Sequence, residues 1–210
     1  SPDVSHEVIP LRYYELYVSF DDEPTVIRST TVVPDTFQVA NTVPNEVIYQ
    51  STDQLEIDIT RSTYPGRQTI FVFNTISLEP DTANLTPVYL DFFEDDENAE
   101  LEDLVNTASP PFNESNYDIN PDGTITLRYP WIALVFYGQN RIIANTIDDN
   151  IFDFITSQDV QLGGSTLSPG EIQNVVYNVE GGIGLFGALA ADTIQVEVRR
   201  NPDLPFKKGK

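Results

Sequence analysis

Three six-residue stretches with alternating apolar and polar side chains decide the fold class of this 210-residue chain. They are Leu-Glu-Ile-Asp-Ile-Thr at residues 55–60, Thr-Ile-Thr-Leu-Arg-Tyr at 124–129 and Thr-Ile-Gln-Val-Glu-Val at 193–198. Because successive side chains of a strand point to opposite faces, this pattern places one face on a core and the other in water. The three stretches therefore predict antiparallel strands.

Six more runs are rich in Val, Ile, Thr and aromatic residues and are separated by Pro, Gly, Asn and Asp, which is typical of strands. They cover residues 13–20, 25–33, 69–77, 88–92, 131–137 and 175–179. About nine strands at this spacing predict an all-β fold, an antiparallel β-sandwich whose sheets bury their apolar faces against each other. One or two short surface helices are predicted at residues 97–106 and 149–157, the second with Asp148 or Asp149 as its N-cap.

The chain is predicted to form a single sandwich-like domain over residues 1–210. An acidic excursion at about residues 91–118 connects two blocks of strands. The alternative is a division near residue 108, but each half would then have only four or five strands and a marginal core.

Composition and charge exclude several classes of function. The chain has 33 Asp and Glu against 11 Lys and Arg, a formal charge of −22, which repels phosphate backbones and so excludes nucleic acid as a partner. It has no Cys and a single His, His6, so thiol nucleophiles, disulfides and multi-His metal sites are excluded. No run approaches the ~18 apolar residues of a membrane-spanning helix. We therefore expect a protein without a catalytic centre or an organic cofactor.

The candidate metal ligands are Asp118, Asn120 and Asp122, in the stretch Asp-Ile-Asn-Pro-Asp-Gly at residues 118–123. The spacing matches the start of a calcium loop, in which alternate oxygen-bearing side chains converge on one hard cation. However, Tyr129 stands where such a loop has its bidentate Glu. Asn-Pro-Asp-Gly is also typical of a hairpin turn. A hairpin turn is the favoured interpretation, and calcium is the alternative.

Two further patterns have alternative interpretations. The aromatic run at residues 129–137 fits a sugar-stacking platform or a buried central strand, and burial is favoured because the run is apolar on both faces. A pair of carboxylates would serve glycoside hydrolysis, but among 33 acidic residues such pairs arise by chance. An enzyme is therefore the least favoured class.

The glycine-rich stretch Asn-Val-Glu-Gly-Gly-Ile-Gly-Leu-Phe-Gly at residues 178–187 is preceded by Ile-Phe-Asp-Phe at 151–154 and Gln-Leu-Gly-Gly-Ser at 161–165. Together these elements resemble a family of uncharacterised Bacteroidota lipoproteins with an N-[IV]-E-G-G-x-G-x-F-G element. The resemblance implies a lipid-anchored Cys immediately before Ser1 and a location at the outer membrane or cell surface. It also implies a membrane-protein partner, since such proteins are often encoded beside TonB-dependent nutrient transporters.

The resulting hypothesis is a non-catalytic, exported lipoprotein that acts as a binding or accessory component of a nutrient-uptake system. The alternative is a structural subunit of an envelope complex or extracellular filament, in which the acidic surface provides assembly contacts.

Overall fold

The computed structural model describes residues 7–21, 23–40, 44–161 and 175–204. Ten strands and three α-helices lie in these ranges. The strands are β1 (Tyr13–Phe20), β2 (Glu23–Val32), β3 (Glu46–Ile48), β4 (Glu56–Thr60), β5 (Ile70–Ser77), β6 (Asn106–Ala108), β7 (Phe112–Asn113), β8 (Thr124–Arg128), β9 (Gly138–Ile147) and β10 (Leu189–Arg199). The helices are α1 (Pro87–Asp95), α2 (Leu101–Val105) and α3 (Asp149–Gln161).

The larger layer is a six-stranded sheet. Strands β3, β10, β9 and β5 lie side by side in this order, and the short strands β6 and β7 both pair with the far edge of β5. The pairings are antiparallel except for β3 with β10, which is parallel. The centre of the sheet is therefore the long ladder formed by β10, β9 and β5.

Strands β4 and β8 form the second layer as an antiparallel pair. Their alternation has the predicted effect, because Ile57, Ile59, Ile125 and Leu127 are buried while their polar neighbours face outward. These side chains share one apolar cluster with residues from the central sheet, which include Phe71, Phe73, Ile142, Ala144, Val196 and Val198. The predicted all-β, sandwich-like fold is confirmed.

Strands β1 and β2 form a separate antiparallel hairpin. A two-stranded hairpin is at best marginally stable alone and needs another element to pack against. Contacts with residues 178–187 and with Asp148 hold this hairpin against the rest of the molecule.

Three predicted strands are wrong, at residues 88–92, 131–137 and 175–179. Residues 88–92 lie in α1, which begins with Pro87 in the first turn, where proline is well tolerated. Residues 131–137 begin with a short 3₁₀ helix at Trp131–Ala133 and then run extended beside residues 84–86, joined by an isolated bridge between Leu85 and Phe136. The run is apolar on both faces because it separates two clusters: Leu134 and Tyr137 face the main core, whereas Val135 and Phe136 face α1.

Four strands were not predicted: the short strands β3, β6 and β7, and the long strand β9 at the centre of the large sheet. Strand β9 is the most important of them. It carries the buried polar residues Asn140, Asn145 and Thr146, which hid its apolar pattern. The side-chain amide of Asn145 donates to the Val72 carbonyl of β5 at 3.1 Å, and that of Asn140 donates to the Phe136 carbonyl at 3.0 Å.

The predicted helices are present with different bounds. Residues 149–157 belong to α3, and the Asp148 carboxylate caps this helix by accepting from the Ile151 amide at 2.9 Å. The helix expected at 97–106 is limited to Leu101–Val105. The run at 175–179 lies outside the named strands of the described residues.

The acidic stretch from residue 91 to 118 contains the end of α1, all of α2, and strands β6 and β7. Leu101 and Leu104 pack on the α1 cluster, whereas Phe112 and Tyr117 pack on the main core. Pairings such as β4 with β8 and β5 with β9 join strands from the two sides of residue 108.

Among the helices of the described ranges, none has the length and apolar character needed to cross a bilayer. Several residues named from the sequence lie outside the described residues: Ser1, His6 and residues 162–165.

Candidate partner-binding surface

The candidate calcium ligands lie in a hairpin turn. The Gly123 amide donates to the Asn120 carbonyl at 2.9 Å, and the Asn120 amide donates to the Thr124 carbonyl at 2.8 Å. Gly123 has a φ of 86°, the left-handed conformation that glycine adopts without strain. This is a three-residue hairpin loop with a glycine bulge, which is the favoured interpretation of Asn-Pro-Asp-Gly.

The polar side chains of this turn bond to threonines in β8. Asp122 Oδ1 accepts from the Thr124 amide at 3.0 Å and from its hydroxyl at 2.7 Å, and these bonds lower the pKa of Asp122. The Asn120 amide donates to the hydroxyls of Thr124 and Thr126, both at 2.9 Å. Within the described residues there is no group of three or more His, Asp or Glu side chains that would hold a metal. Calcium binding at Asp118, Asn120 and Asp122 stays a prediction.

The aromatic run at 129–137 belongs to the core. Tyr129, Phe136 and Tyr137 are buried, and Trp131 is half-buried against Tyr49. Burial raises the pKa of Tyr129 to about 12, although its bond with the Thr75 hydroxyl opposes the shift. These rings stabilise the fold, so the sugar-platform alternative loses its exposed faces.

An apolar groove of about 280 Å³ opens beside this aromatic core. Its lining includes Phe73, Pro110, Phe112, Tyr117 and Tyr129. The rings of Phe73 and Phe112 stack at 5.5 Å between centroids. Ligand pockets usually span about 300–1,000 Å³, so this groove is small, and its walls are core side chains.

The glycine-rich segment, residues 178–187, is a structural clamp. The Asn178 side chain donates to the Phe186 carbonyl at 2.7 Å and accepts from the Phe186 amide at 2.9 Å. This reciprocal pair closes the segment into a loop. The glycines inside the loop therefore have a structural role in its backbone.

The clamp pairs with β2 through its backbone. The Arg28 amide donates to the Glu180 carbonyl at 3.0 Å, and the Glu180 amide donates to the Arg28 carbonyl at 2.8 Å. At Gly181, with a φ of 78°, a Cβ atom would lie 2.3 Å from the Val26 carbonyl oxygen. Only glycine allows the two backbones to approach this closely.

A buried carboxylate joins the hairpin to the rest of the molecule. Asp148 follows β9 and is almost fully buried. It accepts a hydrogen bond from the Thr31 hydroxyl of β2 and one from the Ile151 amide of α3. A Cβ at Gly187 would lie 2.5 Å from Ile151 Cγ1 and 3.1 Å from Asp148 Oδ1, so the clamp also packs closely on this carboxylate.

These contacts fix one face of the hairpin and leave the other in solvent. We call the outward face, made by Tyr13, Glu15, Tyr17 and Arg28, the hairpin surface. Tyr13 is 68% exposed and Tyr17 is 57% exposed. The Arg28 guanidinium lies 5.3 Å from the centre of the Tyr17 ring, a cation–π distance.

Further apolar side chains lie nearby. Phe20 at the end of β1 is 49% exposed, and Ile183 in the clamp is 85% exposed. A Cβ atom built at Gly182, next to Ile183, would lie 3.7 Å from Ile27 Cδ1 in β2. Tyrosine and arginine beside exposed apolar groups are typical of protein interfaces, so this end of the molecule is the candidate partner-binding surface.

Sequence reasoning predicted the β1 strand but not this surface. The run Tyr-Tyr-Glu-Leu-Tyr-Val at residues 13–18 alternates Tyr13 and Tyr17 with Tyr14 and Leu16. Both sets are apolar enough to face a core. Two tyrosines with a glutamate between them on one face were the available signal.

The hairpin, Asp148 and the clamp all fall within one family match. Residues 2–195 match the model described as Domain of unknown function (DUF4249). The chain belongs to this family. No curated protein and no solved structure matches this chain significantly. The glycine-rich segment predicted membership of an uncharacterised family, and this prediction is confirmed. The matched region, residues 2–195, includes the whole candidate surface.

The close approach at Gly181 is tested by Gly181→Ala, with Gly66→Ala as the matched control. Both glycines have positive φ, 78° and 82°, but nothing lies within 4 Å of a Cβ at Gly66. The control should lose about 1 kcal/mol of unfolding free energy from backbone strain alone. Gly181→Ala should lose at least twice as much, with faster hydrogen exchange at the Arg28 amide. Equal losses by chemical denaturation would contradict the close approach.

Burial makes stability depend on the ionisation of Asp148. Burial raises the pKa of Asp148 above its ordinary value of 3.8, and hydrogen bonds from Thr31 and Ile151 only partly oppose this. The native state therefore binds more protons than the unfolded state between the ordinary and the raised pKa. The contribution of Asp148 to the free energy of unfolding is therefore highest at low pH, and it falls as pH rises from the ordinary pKa to the raised pKa.

Asp148→Asn removes this titration. The side-chain amide of the new asparagine can still donate to the Thr31 hydroxyl oxygen and accept from the Ile151 backbone amide. Unfolding free energies of both proteins should be measured by urea denaturation from pH 4 to pH 7. The variant should gain stability relative to the native protein as pH rises across the window. A difference that does not change with pH would show that burial of the charge is unimportant.

Calcium is tested by thermal unfolding in about 1 mM calcium and in chelator, since a ligand that prefers the native state raises its stability. We expect equal melting temperatures, because Asp122 Oδ1 already accepts two bonds from Thr124. A rise in calcium that Asp122→Asn abolishes would establish the metal site instead.

Proposed function

We propose that this DUF4249 protein is a non-catalytic binding or accessory component of a nutrient-uptake system, and that it contacts a membrane transporter through the hairpin surface. The observation that supports the proposal is the exposed face of Tyr13, Tyr17 and Arg28 on a hairpin held at a fixed position. Large aromatic groups and arginine contribute most of the binding energy in many interfaces.

The use of the buried charged groups agrees with a binding role. Asp148 caps α3 and holds Thr31. Glu114 is 5% exposed and lies 3.3 Å from an Arg61 nitrogen. Asp148 bonds to structural partners through both oxygens, and Glu114 is paired with Arg61 through Oε1, whereas Glu114 Oε2 is buried without a hydrogen-bond partner in the described residues.

We further propose that the protein is a Bacteroidota lipoprotein, exported to the outer membrane or cell surface and anchored by a lipid. The resemblance carried by the glycine-rich segment supports this, and the formal charge of −22 suits a surface screened by salt. Radiolabelled palmitate should label the protein in cells, and the label should follow it into the outer-membrane fraction. Recovery as an unlabelled internal protein would reject this location.

The transporter contact is tested by photocrosslinking in the native cell. Tyr17→p-benzoylphenylalanine places the crosslinker on the hairpin surface, and Phe92→p-benzoylphenylalanine on α1 is the matched control, because the two side chains are 57% and 52% exposed. A product that contains an integral outer-membrane transporter should form from position 17 and not from position 92. Equal crosslinking, or none from position 17, would reject the surface.

The second candidate function is a structural subunit of an envelope complex or filament. The observation that favours it is the eight-residue strand β1 at the edge of the hairpin, since exposed strand edges promote self-assembly. Light scattering separates the two functions: a monomer over a wide range of protein concentration supports the accessory role, and a growing polymer supports the structural one.

A further inference from the structure

Strand β1 presents an unpaired backbone edge. Arg28 turns its N–H and C=O groups away from β1, toward Glu180, and its register partner in β1 is Tyr17. In an antiparallel pair, opposite residues turn their backbone groups either toward each other or both outward, in alternation. Tyr17, Glu15 and Tyr13 therefore direct their amides and carbonyls to the free side of β1. Within the described residues, no strand pairs with that side.

Several other strand edges among the described residues are short or covered, although β10 pairs with β3 only at residues 197–199. At the borders of the large sheet, β3 and β6 have three residues each and β7 has two. The outer side of β4 is occupied, because the Ala40 amide donates to the Asp58 carbonyl and the Thr60 amide donates to the Gln38 carbonyl. By contrast, β1 has eight residues and contains neither Pro nor Lys, the residues that commonly protect an edge.

We infer that β1 is a docking edge for an extended segment of the transporter, which adds to the hairpin as a third strand and carries a basic residue opposite Glu15. This inference rests on the proposed function and specifies how the partner binds. Strand addition of this kind takes its affinity from main-chain bonds and its specificity from alternate side chains.

Charge complementarity favours a basic segment. Glu15 is the sole charged residue of β1, and it lies on the outward face with Tyr13 and Tyr17. A cross-strand pair of opposite charges stabilises a sheet, and a like pair destabilises it. A second copy of this chain would bring another formal charge of −22 to the contact, so a different, basic partner is favoured over self-pairing.

The inner face of β1 specifies the intervening residues of the partner. Tyr14, Leu16 and Val18 are half-buried, so part of each side chain stays uncovered. Residues of the added strand that lie opposite Tyr14 and Leu16 point to this same inner face. They should be apolar. The expected pattern is apolar, basic, apolar, with the basic residue opposite Glu15.

The test uses a capped synthetic peptide, Val-Thr-Val-Lys-Val-Thr-Val, and the full chain. The peptide has the same pattern in both directions, so it fits a parallel or an antiparallel addition. Amide hydrogen exchange is followed by NMR with and without peptide. At saturation the outward amides of Tyr13, Glu15 and Tyr17 should exchange about tenfold more slowly, while those of Tyr14 and Leu16, which already bond to β2, should not change.

Charge reversal provides the matched control. A peptide with Glu in place of Lys should bind about fivefold more weakly, and Glu15→Lys should reverse this preference. Because Glu15 is exposed, the variant should keep the native melting temperature, which is checked first. Tyr17→Pro removes one outward N–H while leaving the bonds to β2, and it should weaken both peptides.

Several outcomes would overturn the inference: no peptide binding at about 1 mM, binding without slower exchange at the outward amides, or protection that grows with protein concentration alone, which would identify a second copy as the occupant. Failure here is distinct from failure of the proposed function. Crosslinking from position 17 without amide protection would mean that the transporter contacts side chains only. Amide protection without a crosslinked transporter would leave the edge established and reject the proposed partner.

Discussion

The burial of one carboxylate, Asp148, is the constraint on which the candidate site depends. This side chain ends β9, caps α3 and accepts from Thr31 of β2. A charge that leaves water is costly unless hydrogen bonds replace its solvation. Because the replacing donors come from the hairpin and from α3, the carboxylate is satisfied only when these elements are assembled. A two-stranded hairpin has too little apolar area to fix its own position. The polar network around Asp148 therefore holds it in place.

The molecule combines this polar attachment with an apolar body. Strands β4 and β8 bury their isoleucine and leucine side chains against β5, β9 and β10, and this sandwich needs no contribution from the hairpin. The clamp at residues 178–187 then bridges the two parts, with backbone bonds to Arg28 and close packing at Gly187. A stable scaffold that carries a separately attached arm suits recognition: the arm exposes Tyr17 and a free strand edge without exposing the core.

Sequence periodicity predicted the strands whose two faces differ in polarity. It succeeded for β4, β8 and β10, where one face meets the core and the other meets water. It failed at residues 131–137, since a segment between two clusters is apolar on both faces whatever its conformation. It also failed at β9, where the buried polar residues Asn140 and Asn145 interrupt the apolar pattern and Asn145 bonds to Val72, a residue distant in the sequence. Helix α1 was mistaken for a strand because its apolar residues occupy too short a run to distinguish the two periods.

The sequence by itself determined the β-rich class, the hairpin turn at Asn120–Gly123, an aspartate cap of α3 at residue 148 or 149, and the family that the glycine-rich segment resembles. These properties depend on nearest neighbours in the chain: alternation, turn chemistry and capping act over a few residues. Only the tertiary structure decided that Asp148 meets Thr31, that Gly181 meets Val26 and that the outward side of β1 stays unpaired. Each of those contacts joins residues more than 100 positions apart or depends on which strands become neighbours, and no local preference encodes such a choice.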